Sequence, residues 1–432
     1  MPGLLLKRER KGERRRAVAA PRTTLVYGVI FLIPYRKIGF MLGVKRALCP
    51  ERGFPLVQRR ERGAAIAGRR NRKTGMSDTR RVLIAGAGAV GGYIGAHLAR
   101  AGHAVTLIDP WWENVAAIRA RSLSITGITA EEAFTQPVRV LGVGEAQSLV
   151  REAPFDYAFV AMKSYDTRWA AELVLPYLGP DGVIASAQNG INDPTIAAVA
   201  GPERTVGIVV AGIAAELFEP ARIRRAVPRG RPGNLEVGEL DGRLTERVAA
   251  LAGLLNAVDS TLVTTDLPSR RWTKLVVNAM RNAVSAATGL SGNDITRVDA
   301  VRRAAIRIGG EAIRVGRAKG LTVGRVTGID PDDLQGAAEG NPERLARVEA
   351  IMLTGTRDGT RLDFQRPSMG QDVLRRRRTE IDHINGLVVA GAEATGTAAS
   401  GNRTVLDIVR AIERGRLTPA PDLLAGVGVG PG

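Results

Sequence analysis

Short apolar runs alternate with amphipathic stretches between residues 81 and 265. The runs RVLIAG, HAVTLID, PVRVLGV, YAFVAM and VIASAQ predict strands, and the stretches between them, such as residues 167–178, have helical spacing. TVGIVVAGIAAE and GNLEVGEL predict later strands of the same sheet. This alternation predicts the α/β fold class, with a doubly wound, mostly parallel sheet over residues 78–265.

The pattern becomes helical after residue 265. Residues 269–288 and 300–320 repeat apolar positions at helical spacing, and so do TEIDHINGLVVAGAEAT and TVLDIVRAIERGR. We expect a helical C-terminal domain over residues 266–418, with a loop insertion at residues 326–362, where apolar periodicity is poor. Residues 419–432 are rich in Pro and Gly and predict a flexible tail.

The glycine-rich stretch GAGAVGG lies between the first predicted strand and the first predicted helix. A strand, a glycine turn and a helix in this order are typical of a Rossmann-type dinucleotide site, where N–H groups at the helix N-terminus bind a pyrophosphate. The residues expected to contact the cofactor are Gly86, Ala87, Gly88, Ala89, Val90 and Gly91.

Asp109 ends the second predicted strand, 18 residues after Gly91. A carboxylate at this position accepts hydrogen bonds from the ribose hydroxyls and repels a 2′-phosphate, so it favours NAD over NADP as the cofactor. The alternative is that Asp109 is a turn or capping residue before Pro110.

The formal net charge of +19 is concentrated at the beginning of the chain. Residues 1–75 contain 20 Lys and Arg against 4 Asp and Glu, so the remainder carries a net charge of only +3. We therefore expect no nucleic-acid partner for the remainder. An apolar run at residues 24–33 is shorter than the roughly 20 residues that a membrane-spanning helix needs, so no membrane association is expected either.

Residues 1–75 predict a disordered or non-native extension rather than a folded domain, and Met76 follows them directly. An upstream start assigned in error is the preferred interpretation. A basic arm for nucleic acid or anionic lipid is one alternative, and a signal-like segment without a clear cleavage site is another.

Cys49 is the single cysteine, and the three histidines, His97, His103 and His383, are scattered. The sequence therefore predicts neither an intramolecular disulfide nor a metal site. This cysteine usage suits the reducing cytoplasm.

Two polar residues follow predicted strands. Lys163 comes after YAFVAM and Asn189 after VIASAQ, and the carboxyl ends of parallel strands face the ligand crevice. Lys163 would meet a phosphate, a ribose or a substrate carboxylate, unless it is a solvated loop lysine. Asn189 precedes a glycine, a pair that is also typical of an ordinary turn.

Lys274, Asn278 and Asn282 have the spacing i, i+4, i+8 and so share one helix face within about 80°. Their neighbours are mostly apolar. A cation and two amides on such a face are typical of a site that orients a substrate. The alternative is a solvent-exposed stripe.

The stretch RPSMGQD contains Ser368 and precedes RRRRTEIDHING. We interpret the arginines at 375–378 as the last turn of one helix, where they suit the helix dipole. Thr379 with Asp382 resembles a capping box and would place Glu380 at the N-terminus of the next helix. The alternative for Glu380 is ordinary charge at a helix start.

With these residues assembled, residues 80–418 resemble the ketopantoate reductase (2-dehydropantoate 2-reductase) family. The matching motifs are GAGAVGG, MKSYDT, QNG, W-T-K-L-x-x-N-x-x-x-N, S-M-x-Q-D and R-x-T-E-I-D-x-I-N-G. The resemblance implies a Rossmann-type domain, a helical C-terminal domain and an active site between them. It also implies NAD(P)H-dependent reduction of ketopantoate to pantoate, a step of pantothenate biosynthesis.

The resemblance also implies roles for individual residues. Lys274 would be the proton donor. Asn278, Asn282 and Ser368 would lie against the substrate. Asn189, Lys163 and Glu380 would lie where cofactor and substrate meet, with Glu380 as a second catalytic residue. We further expect a cytoplasmic homodimer that acts on a small 2-oxo acid.

The chain departs from the family at two places. The family typically uses NADP and often has a basic residue after the second strand, where this chain has Asp109. The segment at residues 326–362 is also longer than is usual in the family. Two alternatives therefore stay open: a reductase or dehydrogenase of another 2-oxo or hydroxy acid, and a non-catalytic dinucleotide-binding regulator.

Overall fold

A computed structural model describes residues 79–356 and 365–430. The basic segment at residues 1–75, including Cys49, lies outside the described residues. We use "sheet part" for residues 79–263 and "helical part" for the described residues from 267 onward.

The strands all belong to the sheet part. They are β1 (Arg81–Ala85), β2 (Ala104–Asp109), β3 (Leu123–Thr126), β4 (Phe134–Gln136), β5 (Arg139–Gly142), β6 (Phe155–Val160), β7 (Leu178–Ser186), β8 (Thr205–Val210), β9 (Ala215–Glu219), β10 (Arg222–Arg225), β11 (Leu235–Glu239) and β12 (Thr261–Val263).

Eight of these strands form one sheet in the order β12-β11-β8-β7-β6-β1-β2-β5. Its neighbouring described strands are parallel, except that β8 and β11 are antiparallel. In the centre, Ile84 of β1 lies opposite Leu107 of β2 and Phe159 of β6, and all three side chains are buried. Strands buried on both faces are typical of doubly wound sheets, and the predicted fold class is confirmed.

The helices cover both faces of the sheet and then form the helical part. They are α1 (Ala89–Arg100), α2 (Trp112–Arg121), α3 (Thr167–Val174), α4 (Asp193–Ala200), α5 (Glu246–Leu255), α6 (Leu267–Thr288), α7 (Asp294–Arg297), α8 (Asp299–Ala318), α9 (Pro331–Ala338), α10 (Pro342–Thr354), α11 (Ser368–Leu374), α12 (Ile381–Thr395) and α13 (Ser400–Glu413).

Helix α6, with 22 residues the longest described helix, packs in the core of the helical part. Its start is capped by Asp266, whose side chain accepts a hydrogen bond from the Ser269 N–H, and it ends at Gly289 in the left-handed conformation. Both ends follow the usual capping rules. The domain boundary predicted near residue 265 stays a prediction; β12 ends at Val263 and α6 begins at Leu267.

The prediction of a loop insertion at residues 326–362 is wrong, because helices α9 and α10 occupy much of this range. Each helix has a side-chain cap followed by proline: Asp330 accepts from the Asp332 N–H, and Asn341 from the Arg344 N–H. These caps were readable from the sequence. The apolar period is weak because α10 buries only Val348 and Met352.

The tail differs from the expected flexible segment over its described residues. Leu424 and Val427 are buried against the helices. The Ala420 N–H donates to the Ala287 carbonyl at 3.0 Å, and the Gly430 N–H donates to the Ala338 carbonyl at 3.0 Å. Two apolar side chains and two backbone hydrogen bonds hold the segment in place despite its Pro and Gly content.

None of the helices in the described ranges has the length and the apolar content needed to cross a membrane.

Candidate active site

The glycine turn connects β1 to α1. Gly86 has a φ of +106°, and a Cβ there would lie 2.8 Å from the Ala161 carbonyl carbon. A Cβ on Gly91 would lie 1.9 Å from the Gly86 carbonyl oxygen. The first position needs a backbone that L side chains rarely adopt, and the second allows the helix to approach the turn closely. Glycine is therefore required at both positions by local geometry.

Gly88 differs from these two glycines because a Cβ there would meet nothing within 4 Å. It is the N-cap of α1, and no side chain caps this end of the helix. Open space above uncapped N–H groups, at the positive end of the helix dipole, is what an anionic phosphate requires. The turn therefore fits the pyrophosphate of a dinucleotide.

Asp109 connects the end of β2 to the glycine turn. Its carboxylate accepts hydrogen bonds from the Ala87 N–H at 2.6 Å and from the Trp111 N–H at 2.8 Å. Burial raises the pKa of Asp109, and the two backbone hydrogen bonds only partly offset this. Asp109 therefore does cap the turn, as the alternative interpretation expected. Each carboxylate oxygen keeps a lone pair that a ribose hydroxyl can use, and contact with ribose stays a prediction.

Lys163 brings the sheet part and the helical part together. It follows β6, and its Nζ lies 2.5 Å from the Asp372 carboxylate of α11 and 3.5 Å from that of Glu380, the N-cap of α12. Burial lowers the pKa of Lys163, but the two carboxylates outweigh burial and raise it. The lysine is not the solvated loop residue of the alternative interpretation.

Glu380 is buried and extends this cluster to Ser164. Its carboxylate accepts from the Ser164 N–H at 2.9 Å and from the Ser164 hydroxyl at 2.8 Å. Burial acts to raise the pKa of Glu380, yet the Lys163 cation and the Ser164 donors together hold it below its usual range. Glu380 is therefore a buried carboxylate rather than ordinary helix-start charge.

Asn189 links the cluster to α6. Its backbone carbonyl accepts from the Ser164 hydroxyl at 2.9 Å, and its side-chain oxygen accepts from the Asn278 amide at 3.1 Å. Lys163, Ser164, Asn189, Asn278 and Glu380 are thus joined by direct contacts.

The three polar residues of α6 have different surroundings. Asn278 and Asn282 are 4% and 8% exposed. The alternative interpretation, that these residues form a solvent-exposed stripe, is therefore wrong for the two amides. Lys274 is partly exposed, and its Nζ donates to the Ala211 carbonyl at 3.2 Å. Ser368 begins α11, one turn before Asp372; its place against a substrate stays a prediction.

Two contacts at this junction were missed by sequence reasoning. Asp372 pairs with Lys163, and Arg271 of α6 pairs with Asp193 of α4 through two hydrogen bonds of 2.8 and 2.6 Å. The available signals were the i, i+4 spacing of Asp372 from Ser368 and an arginine one turn before Lys274. Neither signal identifies its distant partner.

The prediction that the arginines at 375–378 form the last turn of a helix is wrong. Helix α11 ends at Leu374, and Arg376 has a φ of +53°, so the run forms the connection to α12. Its guanidinium groups reach the sheet part: Arg377 lies 4.7 Å from the centre of the Trp111 ring and Arg378 lies 4.3 Å from that of Tyr165. Aromatic faces attract these cations.

No group of three histidine, cysteine or acidic side chains suited to a metal ion occurs in the part of the chain that the structure describes. The site instead combines a glycine turn, a lysine between two carboxylates, and a second lysine and two amides on α6. A turn that fits a pyrophosphate, together with these polar side chains, suits hydride chemistry on a small polar substrate.

Comparison with known proteins was consistent across sequence and structure. The family model "Ketopantoate reductase PanE/ApbA" matches residues 82–242, and "Ketopantoate reductase PanE/ApbA C terminal" matches residues 266–413. A 2-dehydropantoate 2-reductase of Halobacterium salinarum is 28% identical, over 77% of this chain and 99% of the relative. One of Pyrobaculum aerophilum is 30% identical, over 60% and 77%.

A solved structure has the same architecture. The crystal structure of a PanE/ApbA family ketopantoate reductase from Ralstonia eutropha JMP134 matches with a TM-score of 0.62 and 28% identity. The match covers 78% of this chain and 99% of that chain.

Proposed function

Because this chain belongs to the ketopantoate reductase family, we propose that it reduces the ketone of 2-dehydropantoate to the alcohol of pantoate. It is an NAD(P)-dependent oxidoreductase. One observation carries the proposal. The Asn278–Asn189 hydrogen bond of 3.1 Å joins the polar face of α6 to the strand-end cluster of the sheet part, so the groups proposed to bind the substrate lie next to those proposed to bind the cofactor.

The nicotinamide cofactor supplies the hydride when it is bound. Residues 86–91 would hold its pyrophosphate, and Asp109 would accept from its adenine ribose. Lys163, Asn189 and Glu380 would lie beside its reactive end. Because the Asp109 carboxylate repels a 2′-phosphate, NADH is the proposed cofactor, with NADPH as the alternative.

Lys274 is the proposed proton donor. Negative charge develops on the ketone oxygen during reduction, and an ammonium group both stabilises that charge and supplies the proton. Lys163 is less suited to this role because two carboxylates raise its pKa and hold its ammonium group. The Nζ of Lys274 donates to the Ala211 carbonyl.

The substrate would be oriented by Asn278, Asn282 and Ser368. Their amide and hydroxyl groups can hydrogen-bond a carboxylate and a hydroxyl at once. Holding the ketone in one pose converts binding energy into rate. Glu380 would keep Lys163 and Ser164 in place beside the reacting carbon and act as the second catalytic residue. Cytoplasmic location and a homodimer stay predictions.

The decisive experiment is steady-state reduction of ketopantoate by the full chain with NADH and with NADPH, before and after Lys274→Ala. A general acid contributes roughly 10²- to 10⁴-fold to the rate. We expect kcat to fall by that factor while the Kd for NADH, measured by calorimetry, changes less than about twofold, since the substitution lies outside the glycine turn.

Lys319→Ala is the matched control because Lys319 also lies in the helical part, at the end of α8. It should leave kcat unchanged. Normal turnover by the Lys274→Ala variant would overturn the proton-donor assignment. A panel of other 2-oxo acids tests the alternative substrates, and dinucleotide binding without turnover of any of them would favour the regulator.

A further inference from the structure

The turn after β8 contacts the proposed proton donor. The Ala211 carbonyl accepts from the Lys274 Nζ at 3.2 Å, and Ala211 and Gly212 directly follow Val210, the last residue of β8. A lysine side chain is long and flexible, so an acceptor holds its ammonium group in one place only if the acceptor itself is fixed. The position of the Lys274 ammonium group therefore depends on what fixes this carbonyl.

The peptide unit between Ala211 and Gly212 is fixed from the side opposite its carbonyl. Its N–H belongs to Gly212 and donates to the Asn234 carbonyl at 2.8 Å, and the Ala211 N–H donates to the same oxygen at 3.0 Å. Because a peptide unit is planar, fixing its N–H also fixes the direction of its C=O. The Asn234 carbonyl thus sets where the Ala211 oxygen points.

Asn234 is held in turn by a buried ion pair. Its side-chain amide donates to the Asp259 carboxylate at 3.2 Å, and that carboxylate lies 2.5 Å from Nη1 of Arg225. Both charged side chains are almost fully buried. Asp259 also accepts from the Gly230 N–H at 2.9 Å, so it fastens the loop between β10 and β11 at two points.

Arg225, the last residue of β10, also contacts the turn directly. Its Nη2 donates to the Gly212 carbonyl at 3.3 Å, so both backbone polar groups of Gly212 are engaged. The guanidinium group further donates to the carbonyls of Val227 and Pro228 and to the Tyr93 hydroxyl. A planar guanidinium has fixed donor directions, and an ammonium group cannot reproduce them.

We propose that Arg225 is a positioning residue for the proton donor, and that it acts on the Ala211–Gly212 peptide directly and through Asp259 and Asn234. The inference rests on the proposed function for the role of Lys274 and adds what keeps its ammonium group in place. Disturbing this chain of contacts slows proton transfer while substrate and cofactor still bind.

The test compares two single variants of the full chain with a compensating double variant. Gly212→Ala adds a Cβ that would overlap the Asn234 side-chain amide, so the turn has to move although no charge is lost. Adding Asn234→Ala removes the overlapping atoms and keeps the backbone carbonyl at this position. Arg225→Lys keeps a cation beside Asp259 but loses the planar fork. Gly212→Ala alone decides the question if Arg225→Lys does not fold.

Gly253→Ala is the matched control for an added methyl group. A Cβ on Gly253, in α5, would meet nothing within 4 Å. Each variant is measured by steady-state reduction of ketopantoate, by the solvent deuterium isotope effect on kcat and by calorimetric titration with NADH.

We expect Gly212→Ala and Arg225→Lys to lower kcat by about 10- to 100-fold, because displacing a reacting group by about 1 Å can cost about 10²-fold. The value of kcat/KM should fall by the same factor, and the Kd for NADH should change less than about threefold. The solvent isotope effect should rise, since proton transfer then limits the rate more. The double variant should regain kcat to within about threefold, and Gly253→Ala should change nothing.

Unchanged kcat in either folded single variant, with Lys274→Ala still impaired, would overturn this inference and leave the proposed function intact. A lower kcat with an unaltered isotope effect and no recovery in the double variant would also overturn it, because it would show a purely structural role. Normal turnover by Lys274→Ala would instead remove the proton-donor assignment of the proposed function, and this inference with it.

Discussion

Two charge clusters join the helical part to the sheet part, and they are built differently. Arg271 and Asp193 form a closed pair in which one cation faces one carboxylate through two hydrogen bonds. The remaining Arg271 donors reach the Ser186 and Gln188 carbonyls at 3.1 and 3.3 Å. Both side chains are almost fully buried.

The Lys163 cluster is unbalanced by contrast. One cation faces the two carboxylates of Asp372 and Glu380, and the lysine is 32% exposed while both carboxylates are buried. In the Arg271–Asp193 pair the two charges cancel and the guanidinium donors already have acceptors, so this pair serves as a structural link. In the Lys163 cluster there is one more carboxylate than cation, and the ammonium group is partly exposed, so its members can still form hydrogen bonds with a ligand. Charge balance, more than burial, therefore distinguishes the structural pair from the candidate site.

The largest effect is expected from Arg271→Met. This substitution leaves the Asp193 carboxylate buried without its cation, and breaking a buried ion pair on one side costs about 3–5 kcal/mol. We expect the free energy of unfolding, measured with urea, to fall by that amount.

Two further variants control this prediction. Arg271→Met combined with Asp193→Leu should recover much of the loss, because no buried charge remains. Arg403→Met breaks an exposed pair with Glu393 and should cost less than about 1 kcal/mol. A similar cost for Arg271→Met would show that its pair is not a structural link.

A somewhat smaller effect, about 3 kcal/mol at pH 8, is expected from Lys163→Met. With Lys163 present the pKa of Glu380 is below its usual range, so Glu380 contributes stability above about pH 4.5 that is lost as the pH falls further. Without the cation, burial raises that pKa instead. The sign then reverses, and the variant loses stability as the pH rises.

Urea unfolding at pH 5 and pH 8 measures this reversal. The destabilisation should be clearly smaller at pH 5, and Lys163→Arg, which keeps the charge, is the control. Equal losses at the two pH values would contradict the coupling between Lys163 and Glu380.

The smallest effect is expected from Asp372→Asn. Burial raises the pKa of Asp372 more than Lys163 lowers it, so the ionised carboxylate costs stability once the pH exceeds about 4. Asparagine removes that net cost, which already includes the attraction to Lys163, but leaves Lys163 with one carboxylate fewer, so we expect a change of no more than about 1 kcal/mol at pH 8. The variant should gain stability relative to the unaltered protein as the pH rises from 4. If the free energy of unfolding fell by more than about 3 kcal/mol, the Lys163–Asp372 pair would be a structural link like the Arg271–Asp193 pair.

Local patterns explain what could be predicted from the sequence. The strand, glycine turn and helix at residues 81–100 depend on neighbouring residues, and α6 has a long apolar period. The ends of β6 and β7 also indicated Lys163 and Asn189, because the carboxyl ends of parallel strands share one edge. The resemblance of the motifs then connected these residues to Lys274 and Glu380.

Long-range contacts explain what could not be predicted. In the four-stranded sheet β4-β3-β10-β9, strands β3 and β10 pair residues about 100 positions apart, such as Ser124 and Arg222, through only four residues each. Lys163 and Asp372 are separated by 209 positions, and Arg271 and Asp193 by 78. A spacing pattern in one segment carries no information about such partners.

Helix α6 also limits how this protein can evolve. Within its 22 residues it carries Arg271, which anchors it to the sheet part, and Lys274 and Asn278 follow at fixed intervals. Each residue turns the helix by about 100°. Inserting a single residue between Arg271 and Asn278 would rotate the face that carries Asn278 by about 100° relative to the Arg271–Asp193 anchor. The spacing along α6 therefore constrains its length more strongly than the identity of its other side chains.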